Sequence, residues 1–335
     1  MITESMETAP PFGGGRRRVL SAEPPNAEAA EGAFAHLVTP AEQRFVRCHF
    51  PVPRLDAGHA LHVHGAVAES RRFSLAGLRA LPAVTCTVVT ECAGNGRAGM
   101  HPPAPGEQWT SGAVSVAQWT GVPLRSLLQL RESAVEVVFT GADGGRYRRS
   151  LPAEVAMDGA TLVAFEMNGE PIPAVFGGPL RLIVPGWYGM ASVKWLSRVE
   201  AVETPFEGEF QTERYVYAPG EPVTRVKVKS MFTDLPRRVS ARAPLRVTGL
   251  CWGGAGIARV QVSDGGEWQE ARLVGPILAH AWRRFELRWT PPAPGTYRMK
   301  CRAADASGDW QPDAPPWNEQ GYGVNGVEEI EIVAC

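Results

Sequence analysis

The residue in this sequence best suited to chemistry is Cys92, which ends a β-branched run and opens a loop of small residues. The run "AVTCTVVTE" covers residues 83–91, and the loop continues as Ala-Gly-Asn-Gly-Arg. A side chain at the end of a strand can project into a cleft, and Gly94 and Gly96 allow a ligand to come close to the backbone. The charge of Arg97 favours the thiolate form of a neighbouring cysteine. The pattern therefore predicts a thiolate that is presented to a ligand.

A thiolate is a soft metal ligand, but the sequence gives this one no protein partners. The six cysteines are scattered, none forms C-x-x-C, and no Cys/His set has the spacing of zinc ligands. The alternating His62 and His64 are interpreted as surface or core positions of a strand. A zinc site is therefore disfavoured, and any metal bound by Cys92 needs its remaining ligands from a cofactor.

Composition limits the class of protein. The 335 residues suffice for two domains, and 44% hydrophobic with 21% charged residues is typical of a soluble globular chain. A formal net charge of −1 gives no overall basic field for nucleic acid, and no run is long enough for a membrane span. The basic cluster at residues 16–18 lacks the apolar stretch of an export signal. Unpaired thiols indicate a reducing compartment, so a cytoplasmic location is expected, or a periplasmic one if an export signal was trimmed.

Composition and the pattern of predicted strands and helices divide the chain into four parts. Residues 1–33 are rich in Gly, Pro, Ala and Glu, which predicts a flexible or draped arm. Residues 34–206 alternate short strands and short helical segments, which predicts a mixed α+β domain. Residues 207–240 are interpreted as a connector. Residues 241–335 have evenly spaced strands with Asp-Gly-Gly and Pro-Gly turns, which predict an all-β immunoglobulin-like sandwich.

Two segments of the mixed domain carry helical signals. Residues 74–81 begin with Ser74 as a cap and have leucines at helical spacing. Residues 123–130 begin with Pro123, and proline is favoured at the first position of a helix. Both segments are predicted to be short helices.

Several long blocks, in order, resemble the sulfite oxidase family. In the mixed domain these blocks are "RFVRCHFPVP" (44–53), "CAGNGR" (92–97), "WTSGAVSVAQWTGVPLRSLL" (109–128), "AFEMNGEPIP" (164–173) and "PLRLIVPGWYGMASVKWL" (179–196). "VSDGGEWQ" (262–269) and "QPDAPPWNEQGY" (311–322) are similar to the family's C-terminal dimerisation domain. The resemblance covers nearly everything after residue 34.

The resemblance implies a molybdenum–molybdopterin cofactor whose dithiolene supplies two sulfurs to the metal, with Cys92 as the protein's metal ligand. It implies oxidation of sulfite, or of a related sulfur oxyanion, to sulfate by oxo transfer. The electrons would pass to an external acceptor such as a cytochrome, because the sequence has no haem attachment motif and no haem is expected. A homodimer is expected through the C-terminal domain.

The resemblance also implies the roles of individual residues. By position, the catalytic residues are Arg47, Arg97, Trp109 and Tyr215, with Tyr217 as the alternative tyrosine. The residues implied to bind the cofactor are His49, Asp143, Arg181, Ser192 and Lys194. A buried phosphate needs Arg and Lys donors, which these positions include. The alternative for Asp143 is a turn residue in "GADGG".

Three positions depart from the family pattern. Ala191 and Gln320 stand where the animal and plant enzymes have arginines, and Phe176 replaces a histidine that contacts the pterin. A charge-assisted arginine contact contributes about 1.5–3 kcal/mol, so the loss of one would weaken the binding of a dianion about tenfold to a hundredfold. Sulfite is the expected substrate. The alternatives are sulfoxide reduction on the same fold, or a binding protein that uses its immunoglobulin-like domain beside a relic cofactor domain.

Overall fold

A computed structural model of the chain describes residues 16–335, so the first fifteen residues of the predicted flexible arm lie outside the described residues. Within that range the chain is mostly β-structure with three short α-helices. The strands up to residue 202 are β1 (Val19–Ser21), β2 (Asn26–Ala27), β3 (Val46–Arg47), β4 (Ala60–Gly65), β5 (Arg71–Ser74), β6 (Val84–Glu91), β7 (Val114–Pro123), β8 (Glu136–Gly141), β9 (Arg148–Pro152), β10 (Leu162–Met167), β11 (Glu170–Pro171), β12 (Arg181–Ile183) and β13 (Leu196–Val202).

The remaining strands belong to the connector and the second domain. They are β14 (Val216–Ala218), β15 (Glu221–Pro222), β16 (Lys229–Thr233), β17 (Arg238–Val239), β18 (Leu245–Trp252), β19 (Ile257–Ser263), β20 (Gln269–Glu270), β21 (Arg272–Val274), β22 (Arg283–Trp289), β23 (Gly295–Asp305) and β24 (Glu328–Ala334). The α-helices are α1 (Leu75–Arg79), α2 (Ala153–Ala156) and α3 (Glu209–Thr212). Short 3-10 turns cover Ala33–Ala35, Ala41–Gln43, Arg97–Gly99, Leu124–Ser126, Ala174–Phe176 and Gly189–Ala191.

The first domain is built on two five-stranded sheets. One has the order β11-β10-β7-β6 with β12 beside β10, and the other has the order β5-β4-β13-β8-β9. Strands β4 and β13 pair in parallel, whereas the other pairs in these two sheets are antiparallel. The main core contains fully buried side chains from both sheets, among them Leu61, Val116, Val137, Leu151 and Leu196. The expected α+β class is therefore observed, with short helices at the sheet edges.

Strand β6 carries the cysteine into the interior. Its eight residues pair with β7 from Val84↔Gly121 to Glu91↔Val114. Burial increases along the strand, from exposed at Val84 to buried over its last four residues. The Val and Thr residues of the run suit a pleated, increasingly buried surface. The strand therefore delivers Cys92 to the inside of the domain, as its sequence predicts.

The described part of the predicted arm, residues 16–33, packs against the first domain. Strands β1, β2 and β3 form a small sheet, in which Asn26 pairs with Arg47. The Glu28 carboxylate is buried and accepts hydrogen bonds from the Thr110 N–H and hydroxyl, both at 2.6 Å. These partners come from distant parts of the chain, so local composition could not indicate them. Residues 16–33 thus pack onto the first domain.

The helical signals of the first domain have different outcomes. Helix α1 begins after Ser74, whose Oγ accepts a hydrogen bond from the Gly77 N–H at 3.0 Å, as predicted. The predicted helix over residues 123–130 is wrong: β7 continues to Pro123 because it pairs with Leu162 of β10, and only a 3-10 turn follows. None of the helices within residues 16–335 combines the length and apolar character needed to cross a membrane.

Two sheets form the second domain. Their orders are β16-β18-β22-β21 and β17-β24-β23-β19-β20, and they share a buried core that includes Val247, Val260, Met299 and Ile332. Strand β16 lies inside the predicted connector and pairs with β18, so the sandwich begins near residue 229 and not at residue 241. The architecture is the expected β-sandwich, and its immunoglobulin-like topology stays a prediction.

Candidate active site

A pocket in the first domain collects residues that are far apart in the sequence. It lies where β3, the end of β6 and the segment before β13 meet the connector. Eight of the ten predicted site residues line it: Arg47, His49, Cys92, Asp143, Arg181, Ser192, Lys194 and Tyr215. Their placement in one pocket is what a shared site requires, and their individual roles stay predictions.

Cys92 is 7% exposed, and hydrogen bonds on both sides of the residue fix the position of its backbone. Its N–H donates to the Ala113 carbonyl at 2.9 Å, and its carbonyl accepts from the Asn95 N–H at 2.9 Å. Burial raises the pKa of the thiol, and the opposing charges of Arg47 and Arg97 do not overcome it. The charge of Arg97 does lower the pKa, as expected, but burial outweighs it in the metal-free protein. A bound metal cation would reverse this, because coordination deprotonates a thiol.

Arg97 does not line the pocket, because its guanidinium is engaged elsewhere. Its Nε donates to the Gln320 carbonyl and one terminal nitrogen donates to the Glu107 carbonyl, both at 3.0 Å. The guanidinium also lies over the Tyr322 ring, 5.0 Å from its centroid. A Cβ added at Gly94 would lie 2.7 Å from the Arg97 Cζ, so that glycine makes room for the arginine and not for a ligand. The role of Arg97 as a substrate residue stays a prediction.

Trp109 is also absent from the pocket lining. It is fully buried in a small cluster with Phe45, Cys92 and Ala113. A tryptophan in this segment could face a cleft or the core, and the sequence alone does not distinguish the two. The structure places the ring in the core, next to the cysteine, in contrast to the expected lining position.

Tyr215, and not the alternative Tyr217, lines the pocket. Tyr215 has a positive φ of 55°, a conformation that is uncommon for residues with a side chain. This backbone turn separates the two tyrosines, and Tyr217 instead packs against Lys227, whose Nζ is 4.4 Å from the ring centroid. The structure therefore favours the tyrosine that was preferred by position.

Arg47, His49 and Tyr215 form a connected polar group. An Arg47 terminal nitrogen is 3.0 Å from Nδ1 of His49, and the Tyr215 hydroxyl is 2.7 Å from Nε2. The same Arg47 nitrogen is also 3.3 Å from Nε2, so it faces both imidazole nitrogens, and the direction of the hydrogen bond between Nε2 and the tyrosine hydroxyl depends on the tautomer of His49. Burial, followed by the charge of Arg47, lowers the pKa of His49 to about 2. The imidazole is therefore neutral.

Three further cations line the pocket. Arg44 and Arg181 are buried and Lys194 is half-buried, and none of them pairs with a carboxylate in the part of the chain that the structure describes. Burial and the proximity of Arg181 lower the pKa of Arg44 to about 9. Burial is also the main cause that lowers the pKa of Arg181 to about 10 and that of Lys194 to about 8. Buried charges are normally paired, so this cluster calls for an anion.

Two nitrogens of Arg44, Nε and one terminal nitrogen, are buried without a hydrogen-bond partner. Arg181 and Lys194 donate to backbone carbonyls, including that of Val175 at 2.7 Å from the lysine Nζ. The Ser192 Oγ accepts from the Val184 N–H at 3.1 Å, which leaves its own O–H to donate. These donors match a phosphate group. Cys92 in the same pocket offers a thiolate ligand for a metal that is also bound by a dithiolene. The residues thus fit a molybdopterin cofactor.

Asp143 combines its two interpretations. It lines the pocket, and its Oδ1 also accepts from the Tyr147 N–H at 3.3 Å, as a turn residue would. Burial is the main cause that raises the pKa of its carboxyl. Tyr147 itself, which the sequence analysis did not single out, stacks on His49 with ring centroids 5.7 Å apart. No spacing signal marked this tyrosine or Arg44, because both reach the pocket through tertiary packing.

The three departures from the family pattern occupy different places. Phe176 lines the pocket, and its ring centroid is 5.6 Å from the Arg44 Cζ. Ala191 is buried, at 1% exposed. The Gln320 side-chain amide donates to the Glu213 carbonyl at 2.7 Å. Within residues 16–335, no three His, Cys, Asp or Glu side chains are grouped so that they could hold a metal ion.

Comparison with known proteins decides the family. Residues 49–210 match the model of the oxidoreductase molybdopterin binding domain. The chain is 36% identical to sulfite oxidase of Gallus gallus, over 91% of this chain and 75% of that protein. The chain belongs to the sulfite oxidase family. The expected resemblance is therefore confirmed, and the first domain is a molybdopterin-binding domain of the sulfite oxidase type.

Two further comparisons define the extent of the likeness. The mitochondrial sulfite oxidase of Rattus norvegicus is 35% identical over 94% of this chain, which spans 64% of the length of the rat protein. The sulfane dehydrogenase SoxCD from Paracoccus pantotrophus has a structure with a TM-score of 0.82 and 30% identity, covering 99% of this chain and 93% of that one. The sulfite-oxidase-type fold thus extends over both domains.

Proposed function

We propose that this chain is a molybdenum-dependent oxidoreductase that oxidises sulfite, or a related sulfur oxyanion, and passes the electrons to an external acceptor. The observation that carries the proposal is the joint placement in one pocket of a buried thiol, Cys92, and three cations that pair with no carboxylate among the described residues. Membership of the sulfite oxidase family supports the same chemistry.

Five residues would hold the cofactor. Cys92 would bind the metal, and Arg44, Arg181, Ser192 and Lys194 would hold the phosphate of the pterin. The cofactor, when bound, supplies the two-electron oxygen-atom transfer that no protein side chain offers. The protein's part is to hold, orient and provide charge. The phosphate would give the three cations the anionic partner that they lack among the described residues.

Arg47 is the proposed substrate cation. Its guanidinium is held in place by donation to the Asn26 Oδ1 at 3.1 Å and to the Cys48 carbonyl at 2.7 Å. An arginine held in this way presents a fixed charge, which binds an oxyanion without first losing the freedom of a mobile side chain. Arg47 therefore orients the anion within the pocket that Cys92 shares.

Tyr215 is the proposed hydrogen-bond donor to the substrate. In the tautomer with the proton on Nε2, His49 donates to the Tyr215 oxygen 2.7 Å away, which leaves the phenolic O–H for an acceptor in the pocket. Burial raises the pKa of Tyr215 well above its usual value, so the phenol keeps its proton. The neutral His49 thus orients Tyr215 and does not act as an acid.

The test is a sulfite:ferricyanide assay of the protein and its Arg47→Gln variant. Loss of one charge-assisted contact predicts a rise in KM of about tenfold or more, because such a contact contributes about 1.5–3 kcal/mol. Arg54→Gln is the matched control, since Arg54 is exposed and does not line the pocket. An unchanged KM in the Arg47 variant would place the substrate elsewhere.

A second candidate substrate is sulfane sulfur. The observation that favours it is the likeness to a sulfane dehydrogenase over nearly the whole chain, together with Ala191 and Gln320 where the family's animal and plant enzymes have arginines. A site with less positive charge favours a substrate of lower charge. Parallel assays with sulfite and with a protein-bound persulfide distinguish the two. A higher kcat/KM for the persulfide would replace sulfite as the substrate.

The remaining partners are proposed by analogy with the family. We propose a homodimer formed through the second domain, and an electron acceptor such as a separate cytochrome, with no haem in this chain. Sedimentation equilibrium tests the dimer, and the visible absorption spectrum tests for haem. A monomer at micromolar concentration, or a haem Soret band, would contradict the respective statement.

A further inference from the structure

Glu91, the residue immediately before Cys92, is buried at the contact between the two domains. Its carboxylate is almost completely withdrawn from water and accepts three hydrogen bonds. Asn95 Nδ2 donates at 2.9 Å, Trp252 Nε1 at 2.8 Å and Lys229 Nζ at 3.5 Å. The tryptophan and the lysine come from the second domain. The carboxylate next to the proposed metal ligand is therefore neutralised from across the domain contact.

The contact continues on the other side of the cysteine. Lys229 Nζ also donates to the Asn95 carbonyl at 3.3 Å, and the Asn95 Oδ1 accepts from the Ala113 N–H at 3.0 Å. The Gly323 N–H of the second domain donates to the carbonyl of Ala93 at 2.8 Å. The two chain neighbours of Cys92, Glu91 and Ala93, thus both accept hydrogen bonds from residues of the second domain.

The chemical nature of the contact is informative. A buried ion pair is weak evidence for stability, because apolar residues of similar volume often seal a contact equally well. What an ion pair adds is registry, since a buried carboxylate is satisfied only when its donors stand in one arrangement. Glu91 has two of its three donors only while the second domain keeps Lys229 and Trp252 in place.

We propose that Glu91, Lys229 and Trp252 are positioning residues through which the second domain fixes the Cys92 thiol. The inference rests on the proposed function only in so far as Cys92 is the metal ligand. The second domain then has a part in the site, in addition to the dimerisation expected of it.

The experiment uses cofactor-free protein and follows the alkylation of Cys92 by iodoacetamide, with peptides quantified by mass spectrometry. Cys86 is the internal reference, because it lies on the same strand and is half-buried. Glu91→Gln and Lys229→Met should each raise the Cys92 rate about tenfold over that of Cys86, since a loop freed from its restraints opens more often. Lys229→Arg keeps the positive charge, so its Cys92 rate should stay near that of the unmodified protein.

The two substitutions change the local charge in opposite directions. A purely electrostatic effect on the thiol would raise its rate in Glu91→Gln and lower it in Lys229→Met, whereas loss of position raises both. Opposite changes, unchanged rates, or equal increases at Cys92 and Cys86 would each overturn the proposal. Glu329→Gln is the control, because it removes a carboxylate from exposed pairs of the second domain. Its Cys92 rate should not change.

A milder variant guards against loss of the fold. Trp252→Phe keeps both charges and removes one N–H donor, so it should raise the Cys92 rate by less than Lys229→Met does. An unchanged rate in a folded Trp252→Phe variant would remove the tryptophan from the proposal. The alkylation readout needs no metal, so a protein that fails to bind molybdenum would contradict the proposed function and leave this test in force.

Discussion

The hydroxyl of Tyr215 lies 2.7 Å from Nε2 of His49. This contact links the connector to the segment after β3, and both residues line the pocket. The two rings meet edge to face, with centroids 5.6 Å apart. A terminal nitrogen of Arg47 lies 3.0 Å from Nδ1 and 3.3 Å from Nε2, so the imidazole contacts both the arginine and the tyrosine. The pocket therefore depends on a histidine that is kept neutral by its surroundings.

The neutral state of His49 predicts a pH dependence of stability. The folded pKa is about 2 against an ordinary value of 6.5, so the unfolded chain takes up the proton first as the pH falls below 6.5. Stability is therefore lost on acidification, by about 1 kcal/mol between pH 6.5 and 5.5 for this group. Urea unfolding of cofactor-free protein should show this loss, and His49→Gln should reduce it by that amount. Parallel pH profiles of the two proteins would contradict the assignment.

The unpaired nitrogens of Arg44 predict opposite effects in two states of the protein. Without an anion, Arg44→Met removes a buried charge with unsatisfied donors and should stabilise the protein by about 1–3 kcal/mol. With cofactor available during expression, the same variant should retain less molybdenum, because one phosphate donor is gone. Thermal melting and metal analysis measure the two effects, with the exposed Arg54→Met as control. Equal metal content in both variants would exclude Arg44 from the cofactor site.

Much of the site could be predicted from the sequence, because its strongest signal is local. The β-branched run that ends in Cys92 predicted strand β6 and its buried end, and the family resemblance identified eight residues that line the pocket. What the sequence could not predict depends on long-range partners. Arg97 donates to the carbonyls of Glu107, which lies further along the chain, and of Gln320, which lies in the second domain. Asn26 belongs to the segment that was interpreted as an arm, and its composition gave no indication that its side chain would accept a hydrogen bond from Arg47.

The close approach of Arg97 to Gly94 predicts a steric effect. A Cβ at this position would lie 2.7 Å from the guanidinium carbon, so Gly94→Ala should displace Arg97 and lower stability by about 1–3 kcal/mol. Gly99→Ala is the matched control in the same loop, because nothing lies within 4 Å of its added Cβ. Thermal unfolding compares them. Equal melting temperatures would show that the loop adapts without cost.

The different places of the two tyrosines predict different kinetic effects. Tyr215→Phe removes the O–H that is proposed to donate to the substrate, so kcat/KM for sulfite should fall about tenfold to a hundredfold. Tyr217→Phe should leave it unchanged, because Tyr217 does not line the pocket. Steady-state assays with ferricyanide measure both variants. A large effect at Tyr217 with none at Tyr215 would reverse the assignment.

The most direct test of the account is the molybdenum content of the purified protein and of its Cys92→Ser variant, both produced with the cofactor available. The account predicts about one molybdenum atom per chain with pterin fluorescence, and sulfite oxidation by the unmodified protein. In the variant, a folded chain should have lost this oxidation and shown an altered metal absorption spectrum. A metal-free unmodified protein, or a Cys92→Ser variant with full activity, would contradict the account.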